Sequence, residues 1–227
     1  MIANCSGIAR TLIAAAIGSA IFTAPLSSSA AVSQQPLSLT EGVAPNLLVT
    51  LDDSGSMAWD YAPDGRSNWG IALKSNATNS MYYNPNHTYR LPKKLSLDSS
   101  GEIVVQEYSA PTDYSAVPVD GFNPDGSKAT LYKVTEQCNK WGCTTTTTDN
   151  FYYYNYNAGT STCPSKPSAK PADSCFTKVS VTGEQRRNFA IWYSFYRTRN
   201  LATRTAANLA FYTLPENVRL TWGALNT

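Results

Sequence analysis

Histidine is almost missing from this chain: His87 is the single one. A His-x-x-x-His metal pair is therefore excluded. Any Ser-His-Asp triad would have to use His87, which sits in a Tyr/Asn/Pro-rich loop without partner residues around it, so a solvated loop histidine is expected. Charge is scarce as well. Charged residues make up 15% of the chain and the net charge is +2, which excludes a strong global field toward nucleic acid or a membrane surface. Polarity is carried by Tyr, Asn, Ser and Thr instead, a bias that suits an exported, loop-rich β surface better than a cytosolic enzyme.

The apolar stretch at the start is short. Residues 1–31 have the layout of a secretory signal: Arg10, then Leu12 to Pro25, then small residues that allow cleavage after Ala30 or Ala31. The run is too short for a membrane span, so no transmembrane segment is expected once the signal is removed. Cys5 would leave with it. Cys138, Cys143, Cys163 and Cys175 remain, and an even number in an exported chain predicts two disulfides among three possible pairings. The spacings are Cys-x4-Cys and Cys-x11-Cys, not the paired Cys-x2-Cys knuckles of a zinc site.

After a polar lead-in at 32–45, residues 46–57 organise the rest. Asn46 to Leu51 read as a buried strand, with Pro45 setting its start. Asp52, Ser54 and Ser56 follow at alternate positions, and Gly55 permits a tight turn between the hydroxyls. A carboxylate and two hydroxyls at that spacing can aim at one hard cation, Mg²⁺ or Ca²⁺, which prefers oxygen ligands. Two enzymatic patterns are not met. A phosphatase of the haloacid-dehalogenase type needs Asp-x-Asp, and position 54 is Ser; a nucleophile elbow needs Gly-x-Ser-x-Gly, and Ser54 lacks both glycines.

Residues 58–183 change character, being rich in Tyr, Asn, Thr, Ser, Pro and Gly. Strands are expected at 102–108, 130–134, 150–156 and 176–181, with turns such as Asn123-Pro-Asp125-Gly126 between them. Thr144 to Thr148 is a strand edge or loop, and Pro164 to Pro171 an exposed loop. This is an irregular antiparallel insertion. Phe151 to Tyr156 is expected to pack on one face only.

The last part, 184–227, holds a long helix and a second core strand. Thr182 and Gln185 have capping-box spacing, 185–213 contain no Pro or Gly, and Pro215 stops the run. Trp192, Phe195, Ala202, Ala206 and Leu209 form the expected apolar stripe. Arg186, Arg187, Arg197, Arg199 and Arg204 read as a solvated face rather than a nucleic-acid surface. Val218 to Trp222 alternates as a strand. Strand, ligand-bearing turn, helix and strand make one βαβ unit of an α/β fold, with Asp52 to Ser56 at the strand end where ligands gather.

The Asp-x-Ser-x-Ser run after an apolar strand resembles the metal-ion-dependent adhesion site of von Willebrand factor A domains. Further segments resemble the PilY family of type IV pilus proteins. They are the signal, Pro45 to Met57, Met81-Tyr-Tyr-Asn-Pro85 with Tyr89, and the aromatic-dense Asn188 to Arg199. The resemblance implies a partial, Rossmann-type von Willebrand A-like core. It places the protein in the periplasm, at the pilus tip or on the outer surface of a Gram-negative bacterium. It implies a non-catalytic role in pilus assembly and adhesion, with pilus subunits or a host surface protein as partners. Asp52, Ser54 and Ser56 match the family's ligands. The Thr and Asp loops that complete such a site, and the family's C-terminal propeller, have no counterpart before Thr227, so a fragment is expected. The alternatives are a secreted hydrolase using Ser54 or Asp52, or a non-functional truncated product.

Overall fold

The computed structural model describes residues 44–62, 64–167, 169–215 and 217–225. The expected signal and most of the lead-in lie outside these residues. The chain is a mixture of ten strands and two α-helices among the described residues. In order they are β1 (Asn46–Leu51), β2 (Lys93–Leu97), β3 (Ile103–Glu107), β4 (Val117–Pro118), β5 (Lys128–Ala129), β6 (Tyr132–Asn139), β7 (Gly142–Asp149), β8 (Tyr152–Tyr156), β9 (Phe176–Ser180), α1 (Gln185–Phe195), α2 (Arg199–Phe211) and β10 (Arg219–Ala224). They pair two by two. β1 and β10 run parallel, Asn46 opposite Arg219 and Leu51 opposite Ala224. The other four pairs, β2–β3, β4–β5, β6–β7 and β8–β9, are antiparallel.

The parallel β1–β10 pair agrees with the expected strand–helix–strand unit, but β1 is not buried. Leu48 is 68% exposed, and Leu47 and Trp222 are exposed with it. The reason lies in where the apolar side chains meet. The main core is built on α1, whose Phe189, Ala190 and Trp192 pack against Tyr83, Val117, Leu131, Phe151 and Val181. Every one of those five comes from the 58–183 segment. The insertion therefore supplies the core rather than decorating it. Ring geometry holds it together: the Phe189 ring lies 4.8 Å from Tyr83, 5.3 Å from Phe151 and 5.0 Å from Trp192, all at the steep angles that aromatic quadrupoles favour. Trp192 Nε1 donates to the Met81 carbonyl at 3.0 Å, so the buried indole N–H is satisfied.

A second, smaller cluster joins Trp69, Ala72 and Phe176 to Cys163 and Cys175. β8 lies between the two. Phe151 and Tyr153 face the main core, while Tyr154 and Tyr156 pack on the second cluster, so both faces of this Tyr-rich strand are covered. The disulfides are Cys138–Cys143 and Cys163–Cys175. The first is an exposed cross-strand pair near the tip of the β6–β7 hairpin, and the second is buried. Thr144 to Thr148 belong to a regular strand, β7.

The single long helix expected from Thr182 onward is two helices. α1 starts at Gln185 behind Glu184, with no side-chain cap, so the Thr182 capping box does not form. It ends at Phe195, and α2 restarts at Arg199 with Thr198 as its cap, Oγ1 accepting the Leu201 N–H at 3.3 Å. Propensity alone had no Pro or Gly with which to signal this break. Its cause is Thr198, a good cap residue in extended conformation, together with tertiary bonds to Arg199. The break also shifts the apolar stripe. Leu201 and Thr205 are the buried positions of α2, while Ala206 is exposed. Gly121 is required at its place: its N–H donates to the Ser194 carbonyl at 2.9 Å, and a Cβ there would run into the Phe195 ring.

Candidate functional site

The chain leaves β1 at Leu51 and turns at once. Ser54 is extended and leads into a short 3-10 helix, Gly55–Ala58, closed by the Met57 N–H donating to the Ser54 carbonyl at 2.9 Å. This turn gathers the three expected oxygens. The Ser54 N–H donates to Asp52 Oδ1 at 2.8 Å. The Ser54 and Ser56 hydroxyl oxygens lie 2.9 Å apart. The Asp52 carboxyl is held below the usual carboxylate range, first by that backbone N–H and then by the Ser54 hydroxyl, with desolvation opposing. All three residues are half-buried, and Asp53 beside them is exposed.

The donor set suits a hard divalent cation. It offers one ionised carboxylate and two hydroxyls, with no softer ligand. Adjacent oxygens on an octahedral Mg²⁺ at about 2.1 Å stand about 3 Å apart, and the two serine oxygens already have that separation. Among the described residues this turn alone contributes, and it fills three of six positions, so half of a six-oxygen shell would come from elsewhere.

The segment that follows this turn is held by a residue that composition and spacing place among the solvated arginines. Arg199, at the start of α2, takes its backbone N–H to the Trp59 carbonyl at 3.0 Å. Its guanidinium donates twice to the Tyr61 carbonyl, at 3.0 and 2.8 Å, and pairs with Asp64 at 2.5 Å. It also lies 5.0 Å from the centre of the Trp59 ring, which stacks on Tyr61. The segment following Ser56 is thus clasped to the helix break. The signal in the sequence was the Arg-Thr-Arg end of the aromatic segment, where Thr198 caps and Arg199 binds.

Three of the other four helix arginines are engaged within the chain too, while Arg187 is exposed. Arg186 pairs with Asp149 at 2.9 Å and Arg204 with Asp120 at 3.0 Å, and Arg197 donates to the carbonyls of Tyr193 and Val119. His87 stands edge-on to Tyr89 at 4.7 Å, a loop position. The Asn123–Gly126 segment is a turn, its Gly126 N–H donating to the Asn123 carbonyl at 3.1 Å. Glu136, Cys138 and Cys143 lie close together, but the cysteines are joined in a disulfide and offer no thiolate. Clefts lie elsewhere among the described residues, among them one of about 300 Å³ lined by Tyr108 and Phe195, one of about 400 Å³ lined by Lys74, Tyr152 and Arg197, and one of about 460 Å³ lined by Tyr89 and Arg187. None of these is lined by Asp52, Ser54 or Ser56. Among the described residues no helix is long and apolar enough to cross a membrane.

No family model and no solved structure matches the chain. Curated proteins do. The chain is 52% identical over 202 residues to the type IV pilus biogenesis factor PilY1 of Pseudomonas aeruginosa strain UCBPP-PA14, covering 86% of this chain. It is 48% identical over 228 residues to the PilY1 of strain PAO1 and 46% identical over 234 residues to that of strain PAK, covering 96% and 97% of this chain. The chain spans only 17% to 19% of the length of these relatives. Identity near one half, sustained across almost all of the chain, makes this chain a member of the PilY family.

Proposed function

We propose that this chain is an exported component of type IV pilus biogenesis that binds a protein partner through a divalent cation at Asp52, Ser54 and Ser56. The β1–turn–helix–β10 arrangement is read as part of a von Willebrand A-like core. The cation, held by one carboxylate and two hydroxyls, keeps open positions for an incoming carboxylate of a pilus subunit or a surface protein. No bond of the partner is made or broken. The observation that carries this reading is the convergence of the three oxygens at the end of β1, in a chain close to half identical to pilus biogenesis factors. The hydrolase alternative finds less support. The Ser54 hydroxyl meets Ser56 and the Asp52 carboxylate, and the ring of His87 packs on Tyr89.

Calorimetric titration of the folded chain with Mg²⁺ and with Ca²⁺ tests the reading. Binding is expected for the natural sequence and lost in Asp52→Asn. A chain that binds neither ion, or binds it equally well after Asp52→Asn, would defeat the proposal.

A further inference from the structure

The β6–β7 hairpin stands out from the rest of the molecule. Apart from half-buried Tyr132 at its base, every residue of both strands is exposed. It is regular: eight residue pairs run from Tyr132–Asp149 to Asn139–Gly142 in unbroken register, with no bulge. The Cys138–Cys143 disulfide fixes that register next to the two-residue loop Lys140-Trp141. An isolated two-stranded ribbon is marginal in water, and three or more strands are the usual requirement.

The two edges differ. β6 carries Lys133 and Glu136, charges of the kind that discourage further pairing. From Gly142 to Thr148, β7 has no charge, no proline and no bulge, only Cys143 and five threonines. It lacks the devices that protect a free edge. Among the described residues no other strand joins it, because β6–β7 is a sheet of its own. In a two-residue hairpin the closing pair exchanges both backbone bonds, and the alternation that follows turns the N–H and C=O groups of Thr145 and Thr147 outward.

We infer that the outer edge of β7 is an interface for a second copy of this chain, paired antiparallel about a two-fold axis at Thr146. The threonine run reads the same in both directions. Thr146 therefore faces Thr146 of the second copy, Thr145 faces Thr147, and Thr144 faces Thr148. Threonine pairs across strands are favourable, and no like charges meet. The outward groups of Thr145 and Thr147 supply the new ladder bonds. Two ribbons become one four-stranded sheet, and the interface is isologous. Each tip then reaches the base of the other hairpin, which gives a place to Trp141, 85% exposed in the single chain.

Sedimentation velocity of the disulfide-bonded chain over a range of concentrations provides the test. A monomer–dimer equilibrium is expected. Thr147→Pro should abolish the dimer while leaving the hairpin intact, because an outward N–H is not used within it. The double variant T145K/T147K should do the same by charge, and unchanged near-ultraviolet dichroism shows that either variant remains folded. Oxidised Thr146→Cys should give a covalent dimer, and Thr148→Cys should not. A natural chain that stays monomeric up to its solubility limit overturns the inference. So does a dimer that survives both edge variants, or one that cross-links through position 148 rather than 146. If the monomer instead binds an added threonine-rich peptide at this edge, the occupant is a foreign strand and the second-copy assignment is wrong.

Discussion

Arg199 grips the carbonyl of Tyr61 with two guanidinium hydrogen bonds, 138 residues apart in sequence. This clasp ties the segment after the Asp52–Ser56 turn to the first residue of α2. Charged hydrogen bonds of this kind contribute about 1.5–3 kcal/mol, and these two share one acceptor oxygen, so their contributions do not add in full. Arg199→Ala should therefore lower the urea midpoint by the equivalent of about 2–4 kcal/mol. Arg199→Lys should recover part of it, since one ammonium cannot reproduce the planar fork. Any cation affinity at Asp52 should fall in the same order, read by calorimetry.

Buried phenols predict an alkaline limit. Burial pushes Tyr89 up to about 12, and Tyr82 and Tyr196 move in the same direction for the same cause. A phenol whose folded value exceeds its unfolded one, about 10, stabilises the fold fully below that value. The contribution disappears as pH rises from there through the folded value. The phenol contribution should thus be constant below pH 9 or so and fall steeply between about 10 and 12. Tyr89→Phe should soften that fall, as measured by urea midpoints across the range.

Gly121 gives a packing test. Gly121→Ala forces a methyl group into the Phe195 ring, which is itself buried. The expected cost is about 1–3 kcal/mol, the usual range for overpacking. Gly55→Ala is the control, because nothing lies within 4 Å of a Cβ there. Thermal melts of the two variants should separate clearly.

The two disulfides should behave differently. Cys163–Cys175 joins residues 12 apart inside the second aromatic cluster. Replacing both cysteines by alanine should cost about 3 kcal/mol by loop-closure entropy alone. Cys138–Cys143 closes an exposed hairpin tip outside either cluster. Its removal should leave the global transition nearly unmoved and increase amide exchange only within β6 and β7.

Much of the local structure was legible. Pro45, the apolar run after it and the Asp-x-Ser-x-Ser run announced β1 and the turn that follows it, because alternation and a Gly are local facts. The strand cores at 150–156 and 176–181 were legible for the same reason. The burial of β1 was not, because burial depends on what packs against a strand. Here Phe189 and Trp192 found their partners in Tyr83, Phe151 and Val181, far from the β1–β10 pair. The helix break was hidden too. Thr198 is a cap only when Arg199 is held by Trp59 and Tyr61, and that contact spans 140 residues from Trp59. The disulfide pairing needed the hairpin register, which sets Cys138 opposite Cys143.

The chain carries five indoles, and no two serve the same region. Trp192 belongs to the main core, Trp69 to the second cluster, Trp141 to the hairpin tip, Trp222 to β10, and Trp59 to the segment clasped by Arg199. The molecule is thus equipped with its own set of fluorophores. Retaining one and replacing the other four would let emission colour and quenching follow a single locality through unfolding, ion addition or self-association, without any dye attached.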